Sequence, residues 1–399
     1  MSKIYFNKNR LFPFLLLIGG FLSVLANFMM LPILALHAMN VFKLTAFGVG
    51  IICAIWPAIL CTTTIFFGAF ADRIGHEKAL KIGLLFQILS FFLMSRSNSV
   101  TEFAISQVLF GLGKSFFGSS IRALLVSTCP QDRLPYFLRV NFFLINAACM
   151  IGPLAGVFLY DFFAKKTFLV CSLIYTFFLI LFLFIEPSPE TIHCSVKSEQ
   201  RSSIIWSAVF QLCKNKNLLV WIIASFAIVF VFGVYESMMP LVLSIETKAI
   251  KFGFLLSLNG GTIALIQVLF LTFKSTLKAE YRITILGFAG FISGFFMFSL
   301  PILGEYKFLI GTLLFSCGEA LLSPQMEIKL NDLSPEKYKA TYFGISEIKQ
   351  AGFFLGPLIG GLIYEEFGRS VLFISCTIIL ILSALLYIRT LHFRKIVTV

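Results

Sequence analysis

Among the ionisable side chains inside long apolar runs of this 399-residue chain, five stand out: Lys114, Arg122, Glu236, Glu319 and Glu327. An ionised group at the centre of a bilayer-spanning helix costs at least ~2.5–3.5 kcal/mol, so it persists only beside a partner or a wet cavity. Lys114 and Arg122 are eight residues apart, which puts them within ~80° of one helix face at ~100° per residue. Glu319 and Glu327 repeat that spacing with the opposite sign. Tyr235 directly precedes Glu236. Three kinds of chemistry fit these residues. A Lys114–Glu319 pair is a structural lock. A carboxyl among apolar neighbours favours its protonated form, so Glu236 or Glu319 is a candidate proton carrier. Lys114 or Arg122 is a candidate holder of an anionic group. Asn27, Asn259 and Gln267 are weaker polar candidates, and Glu347 and Lys349, two residues apart, point to different helix faces.

Other chemistries find no support. The nine cysteines are scattered through apolar runs without a CxxC pair, and read as small buried hydrophobes. His37, His76, His193 and His392 read as lying in or near loops, and none has metal-ligand spacing to another His or Cys. Gly113-Lys114-Ser115 imitates the end of a phosphate-binding loop, but Val108 stands where the first glycine is required and no strand precedes it. No enzyme activity, cofactor or metal is expected.

The elements that position these residues follow from composition. The chain is 58% hydrophobic and 13% charged, against ~45–50% and ~25% for soluble domains. Its solvent must be lipid, which excludes a soluble enzyme, a disordered chain and a secreted disulfide scaffold. A spanning helix needs ~20 apolar residues, and twelve such runs occur: 11–36, 46–70, 79–95, 102–128, 137–162, 168–186, 218–243, 252–273, 283–303, 307–329, 340–364 and 370–389. The polar stretch 187–217 is the expected linker between a six-helix bundle over 1–186 and another over 218–399. Twelve spans put both termini on one side. Segments facing that side hold most of the basic residues, so it is expected to be cytoplasmic. That bias accounts for most of the +13 net charge without a nucleic-acid partner.

The two halves echo each other at a spacing of just over two hundred residues. Gly152-Pro153-Leu154-Ala155-Gly156 recurs as Gly356-Pro357-Leu358-Ile359-Gly360. Phe110 to Lys114 pairs with Phe315 to Glu319, Arg122 meets Glu327, and Phe47-Gly48 meets Phe252-Gly253. Asn27, Met29 and Met30 resemble Glu236, Met238 and Met239. The expected fold is therefore all-α: a polytopic membrane protein of twelve transmembrane helices in two pseudo-symmetric six-helix bundles.

Between the second and third spans lies Gly68-Ala-Phe-Ala-Asp72-Arg73-Ile-Gly75-His76-Glu77-Lys78. Gly75 lets the chain reverse, and Asp72 is placed to cap the next helix or pair with an arginine. This segment resembles the loop signature G-x-x-x-D-R-x-G-[RK]-[RK] of the major facilitator superfamily, with His76 and Glu77 replacing the usual basic pair. The resemblance covers the whole chain. It implies that Gly68, Asp72, Arg73 and Gly75 gate alternating access without binding substrate. Span 4 is similar to the family's R-x-x-x-G-x-G motif, with Gln107 in place of the arginine. Spans 5 and 11 are similar to its antiporter glycine motif, through Gly152, Pro153 and Gly156, and through Gly352, Gly356, Pro357 and Gly360. Ordinary tight helix packing explains those glycines equally well.

The family's cavity is lined by spans 1, 4, 7 and 10, so the resemblance places Asn27, Lys114, Arg122, Tyr235, Glu236, Glu319 and Glu327 on or near it. It implies a secondary active transporter of a small molecule in the plasma membrane, in a bacterium the inner membrane, with both termini cytoplasmic. Proton-coupled efflux by a monomer, in the manner of the drug:proton antiporter branch, is the expectation. An importer or exchanger of an anionic metabolite or siderophore is the alternative that Lys114 and Arg122 raise. A non-transporting membrane receptor on the same scaffold is a further one.

Overall fold

The computed structural model describes residues 8–129, 133–184, 216–247, 251–270, 277–334 and 346–392. The expected linker 187–217 lies outside these apart from its last two residues. The helices are α1 (Lys8–Phe42), α2 (Ala46–Ile74), α3 (His76–Arg96), α4 (Val100–Thr128), α5 (Leu134–Phe163), α6 (Thr167–Phe184), α7 (Lys216–Glu246), α8 (Phe252–Phe270), α9 (Leu277–Ser299), α10 (Tyr306–Leu333) and α11 (Gly352–His392). Short 3-10 turns, Ala164–Lys166 and Glu347–Ala351, precede α6 and α11.

Among the described residues, ten helical stretches are long and apolar enough to cross a membrane. Two of them, Tyr136–Phe184 and Glu347–Arg389, run to 49 and 43 residues, about twice the ~20 that one crossing needs. Each is broken once by a residue outside the helical region: Ala164 at φ 46 and Gly368 at φ 76. Each therefore makes two crossings, and the count is twelve. The two breaks fall at matching positions of the sequence repeat. At the first the chain accepts the strain of a left-handed alanine; at the second, glycine removes it.

Contacts divide the chain into two compact units. One comprises Met1–Lys43 and Ile55–Ser198; the other comprises Leu44–Ala54 and Glu199–Val399. The first turns of α2 thus pack with the second unit. There Glu365 Oε2 accepts the Phe47 N–H at 2.8 Å, capping α2 from α11. A Cβ at Gly50 would collide with the Pro357 carbonyl, and one at Gly361 would sit 2.7 Å from the Ala46 carbonyl.

Within the first unit α1 packs on α5, and α3 on α4 and α6. Within the second, α7 packs on α11, and α9 on α10. The repeated glycines make these contacts. A Cβ at Gly156 would overlap the Met29 carbonyl of α1, and one at Gly152 would lie 2.9 Å from the Leu25 carbonyl. In the second unit, Cβ atoms at Gly356 and Gly352 would meet the α7 backbone at Phe230. Gly113 closes α4 onto Gln87 of α3, and Gly318 closes α10 onto the α9 backbone at Gly290 and Phe291. Where lipid gives no hydrophobic drive between helices, such backbone approach supplies the dispersion energy. Bulky side chains turn outward: Phe66, Phe143, Phe162 and Phe184 are all about seven-tenths exposed. Others form the core, as where Tyr235 packs on Phe315 and Phe298 with ring centroids 4.9 and 5.9 Å apart.

Polar clamps tie the helix ends. Lys165 Nζ donates to the Ser97 carbonyl at 3.2 Å and to Asn98 Oδ1 at 2.7 Å, just beyond the carboxyl end of α3. Arg369, at the matching repeat position, donates to the Phe298 and Leu300 carbonyls at 2.8 and 3.1 Å, at the end of α9. A cation there satisfies orphan carbonyls and opposes the negative end of the helix dipole. Arg369 Nε also pairs with Glu246 Oε1 at 2.7 Å, and Glu246 Oε2 takes Lys307 Nζ at 2.9 Å. One carboxylate therefore holds two cations from different elements. The structure corrects the placing of His37 in or near a loop. Helix α1 runs on to Phe42, and His37 is buried inside it. There it bonds the Tyr160 hydroxyl through Nδ1 at 2.8 Å, among the rings of Phe42, Phe103 and Phe168.

Two stability predictions follow from these contacts. Gly356→Ala must push α11 off α7, an overpacking cost of about 1–3 kcal/mol, and should lower the melting temperature of the detergent-purified protein. Gly68→Ala enters open space and should leave that temperature unchanged or raised. Glu246→Gln strips Lys307, buried in the fold, of its counter-ion, a loss on the order of 2 kcal/mol. Adding Lys307→Met should recover part of that loss; simple additivity of the two changes would refute the coupling.

Candidate transport site

The second unit gathers its polar residues around Glu319. Glu319 sits midway along α10, where Thr312, Ser316 and Glu319 follow at helical spacing on one face. Asn259 of α8 donates from Nδ2 to Glu319 Oε2 at 2.9 Å and reaches Ser316 Oγ at 3.0 Å. Ser316 in turn donates to the Thr312 carbonyl at 2.6 Å. On α7, the Tyr235 hydroxyl lies 3.4 Å from Thr312 Oγ1, with its ring fixed among Phe252, Phe295, Phe298 and Phe315. Glu236 is within electrostatic range of Glu319. Both carboxyls are half-buried, while Tyr235, Thr312 and Ser316 are buried. Two carboxyls, an amide and three hydroxyls thus share one region of a largely apolar unit.

Thr312 and Ser316 had no separate signal in the sequence, because single hydroxyls are common in membrane helices. Their spacing of four and then three residues before Glu319 is the pattern that finds them. Asn259, a weaker sequence candidate, is the carboxyl's direct donor.

The first unit carries Lys114 midway along α4. The other sides of α4 are closed: Gly111 lies on Ile59 and Trp56, Gly113 on Gln87, and Ser115 Oγ bonds Thr63 Oγ1 at 2.7 Å. Lys114 is half-buried, its Nζ 5.8 Å from the Phe110 ring centroid, and Cys149 of α5 is within electrostatic range. Asn27 of α1 is half-buried, with a buried Oδ1 that has no hydrogen-bond partner among the described residues.

The remaining candidates lie apart from these clusters. Arg122 is exposed. Glu327 is exposed and pairs with Lys349 at 3.3 Å, and Lys349 also stacks on Trp221, 5.2 Å from its ring centroid. Lys349 lies in a 3-10 turn rather than an α-helical span. In the loop signature Gly75 takes φ 91, a conformation that favours glycine. Asp72 Oδ1 stands 3.4 Å from His76 Nε2, and no side chain caps the N-terminus of α3. Asp72 therefore meets the residue that replaces the family's first basic position. Gly152, Pro153, Gly156, Gly352, Gly356, Pro357 and Gly360 lie within α5 and α11.

Known proteins resemble the chain along much of its length. A Na(+), Li(+), K(+)/H(+) antiporter of Planococcus maritimus is 22% identical over 363 residues, 84% of each protein. The multidrug resistance protein MdtH of Shigella dysenteriae serotype 1 is 31% identical over 164 residues, 41% of this chain and 40% of that one. A solved structure of a peptide transporter POT shares the fold at a TM-score of 0.74 and 16% identity, covering 94% of this chain and 93% of that one. The pattern of the Major Facilitator Superfamily matches residues 16–348. With its twelve apolar crossings, the chain is an integral membrane protein, a transporter rather than an enzyme, and it belongs to the Major Facilitator Superfamily.

Proposed function

We propose that the protein is a proton-coupled exporter of a small organic molecule, working by alternating access in the plasma membrane with both termini cytoplasmic. In a bacterium that is the inner membrane, and the working unit is a monomer. The observation that carries this reading is the Glu319 cluster. A carboxyl that accepts from Asn259, with Glu236 in electrostatic range, is suited to bind and release one proton per cycle. The names of the antiporter and the multidrug resistance relatives support antiport and efflux. Transporters built from two similar bundles change access by alternating between inward- and outward-open states.

Coupling requires that proton occupancy and substrate occupancy alter each other's free energy. Such couplings are typically ~1–3 kcal/mol, or ~5–150-fold in affinity. The Glu319 cluster meets this requirement if the carboxyl changes charge while substrate is bound or released nearby. The Asn259 amide serves both forms, since it donates to a carboxylate or to the carbonyl oxygen of the neutral acid.

The test is transport into proteoliposomes under an imposed pH gradient, screening amphipathic dyes and drugs. Glu319→Gln should reduce gradient-driven transport by about tenfold or more, while exchange of substrate across the membrane without a gradient continues. Glu236→Gln should weaken the same coupling. Full gradient-driven transport by the Glu319→Gln protein, reconstituted in folded form, would exclude Glu319 as the proton carrier.

A further inference from the structure

Lys114 is an embedded charge for which the described residues of its own unit supply no ion-pair partner. Helix α4 has 29 residues and Lys114 is its fifteenth, so its Cα lies ~21 Å along the helix from either end. The hydrocarbon core is ~30 Å thick, and a lysine side chain this deep cannot reach the headgroups. No described acidic residue of the first unit forms an ion pair with Lys114 or with Arg122.

The second unit treats the matching position differently. Glu319 occupies the repeat position of Lys114 and is served by Asn259, Ser316 and Thr312. The residues at the matching positions are Ala54, Gly111 and Gln107. Ala54 has no polar side-chain atom, and Gly111 has no side chain. Gln107 is buried and turns its amide to Met94 Sδ at 3.6 Å. These three repeat positions thus carry no counterpart of the polar set that serves the carboxyl. The face that Lys114 occupies, half-buried and with Ile121 against Gly20 of α1, nevertheless leaves space. One turn on, a Cβ at Gly118 would meet nothing within 4 Å, and two turns on, Arg122 is exposed. Lys114, Gly118 and Arg122 thus form a stripe of charge, gap and charge along one side of α4, the side not packed on α2 or α3.

We infer that this face binds the anionic group of the transported molecule, with Lys114 as its direct partner and Arg122 drawing it in. The substrate class is then an organic anion, zwitterions included, and Lys114 sets specificity. Gly118 keeps the face open, since a side chain there would occupy the space between the two cations. The inference rests on the transporter reading above but not on the identity of the coupling ion.

The test uses the full-length protein in proteoliposomes with two dyes of similar ring system, anionic carboxyfluorescein and cationic rhodamine 123. The wild type should carry carboxyfluorescein. Lys114→Gln should cut that transport by about 10- to 100-fold, the loss of one charge-assisted hydrogen bond. Lys114→Arg should retain most of it, and any rhodamine 123 transport should not fall in parallel. Unchanged carboxyfluorescein transport by Lys114→Gln overturns the inference. So does mutual rescue of Lys114→Gln and Glu319→Gln, which would mark an internal ion pair. Loss of pH-gradient dependence with intact carboxyfluorescein transport would refute proton coupling and leave the anion site standing.

A substrate-independent readout covers the case in which neither dye is carried. In a protein retaining Cys149 as its one cysteine, an anionic methanethiosulfonate should label faster than a cationic one of similar size. Lys114→Gln should abolish that preference. Equal rates for the two reagents in the presence of Lys114 overturn the inference.

Discussion

A charge in or beside hydrocarbon needs a partner or a wet cavity, and much of the polar architecture of this chain follows from that requirement. Lipid offers no hydrogen bonds and screens little. Glu246 therefore takes both Lys307 and Arg369. Glu319 takes Asn259, and Lys165 takes a carbonyl and an amide oxygen at the end of α3. Each of these arrangements ties together elements remote in sequence. The partner requirement thus becomes a packing instruction. Helices that the apolar effect cannot align with one another, because lipid is as apolar as they are, are aligned by the few groups that cannot face lipid.

The internal repeat is deeper than residue identity. Ala164 and Gly368 share no side-chain chemistry, yet both take positive φ and both fold a long apolar stretch back on itself. Lys165 and Arg369, the next residues, differ in shape but both close the carboxyl end of a helix in their own unit. The second clamp adds a carboxylate, which Arg369 can engage through Nε while Nη1 stays on the carbonyls. A lysine, with a single nitrogen, has no such division of labour. The same backbone solution is thus reached with different side chains.

The parts of the fold legible in sequence are those that obey a length or spacing rule. Apolar runs of bilayer length yielded twelve crossings, and glycines four apart marked the faces where α5 meets α1 and α11 meets α7. Gly75 was legible because a tight reversal calls for a positive φ. What escaped depends on groups without a sequence signature. The acceptors for Lys165 and Arg369 are largely backbone carbonyls, which every residue carries, so these cations read only as loop charges. The interior position of His37 escaped because α1 continues beyond the apolar run that defined it. Thr312 and Ser316 acquire meaning only once Asn259 of another helix is seen to join Ser316 to Glu319. The division of α2 between the two compact units is also unannounced, since the residues on either side of Ala54 are uniformly apolar.

The two central charges differ in the same respect. Glu319 and Lys114 are equivalent by repeat, and a symmetric ancestor would give both the same surroundings. The repeat positions differ where neutral polar groups are concerned: Asn259 and Ser316 in one half, Ala54 and Gly111 in the other. An amide and a hydroxyl stabilise a carboxyl in either protonation state, so a built-in partner leaves it free to change charge during a cycle. An ammonium has only donors and needs an acceptor. Where no described acidic residue of its own unit pairs with it, an entering anion has the more to gain. On the proposed reading, poor solvation suits Lys114 to receive an anion, just as the Asn259 amide suits Glu319 to exchange protons.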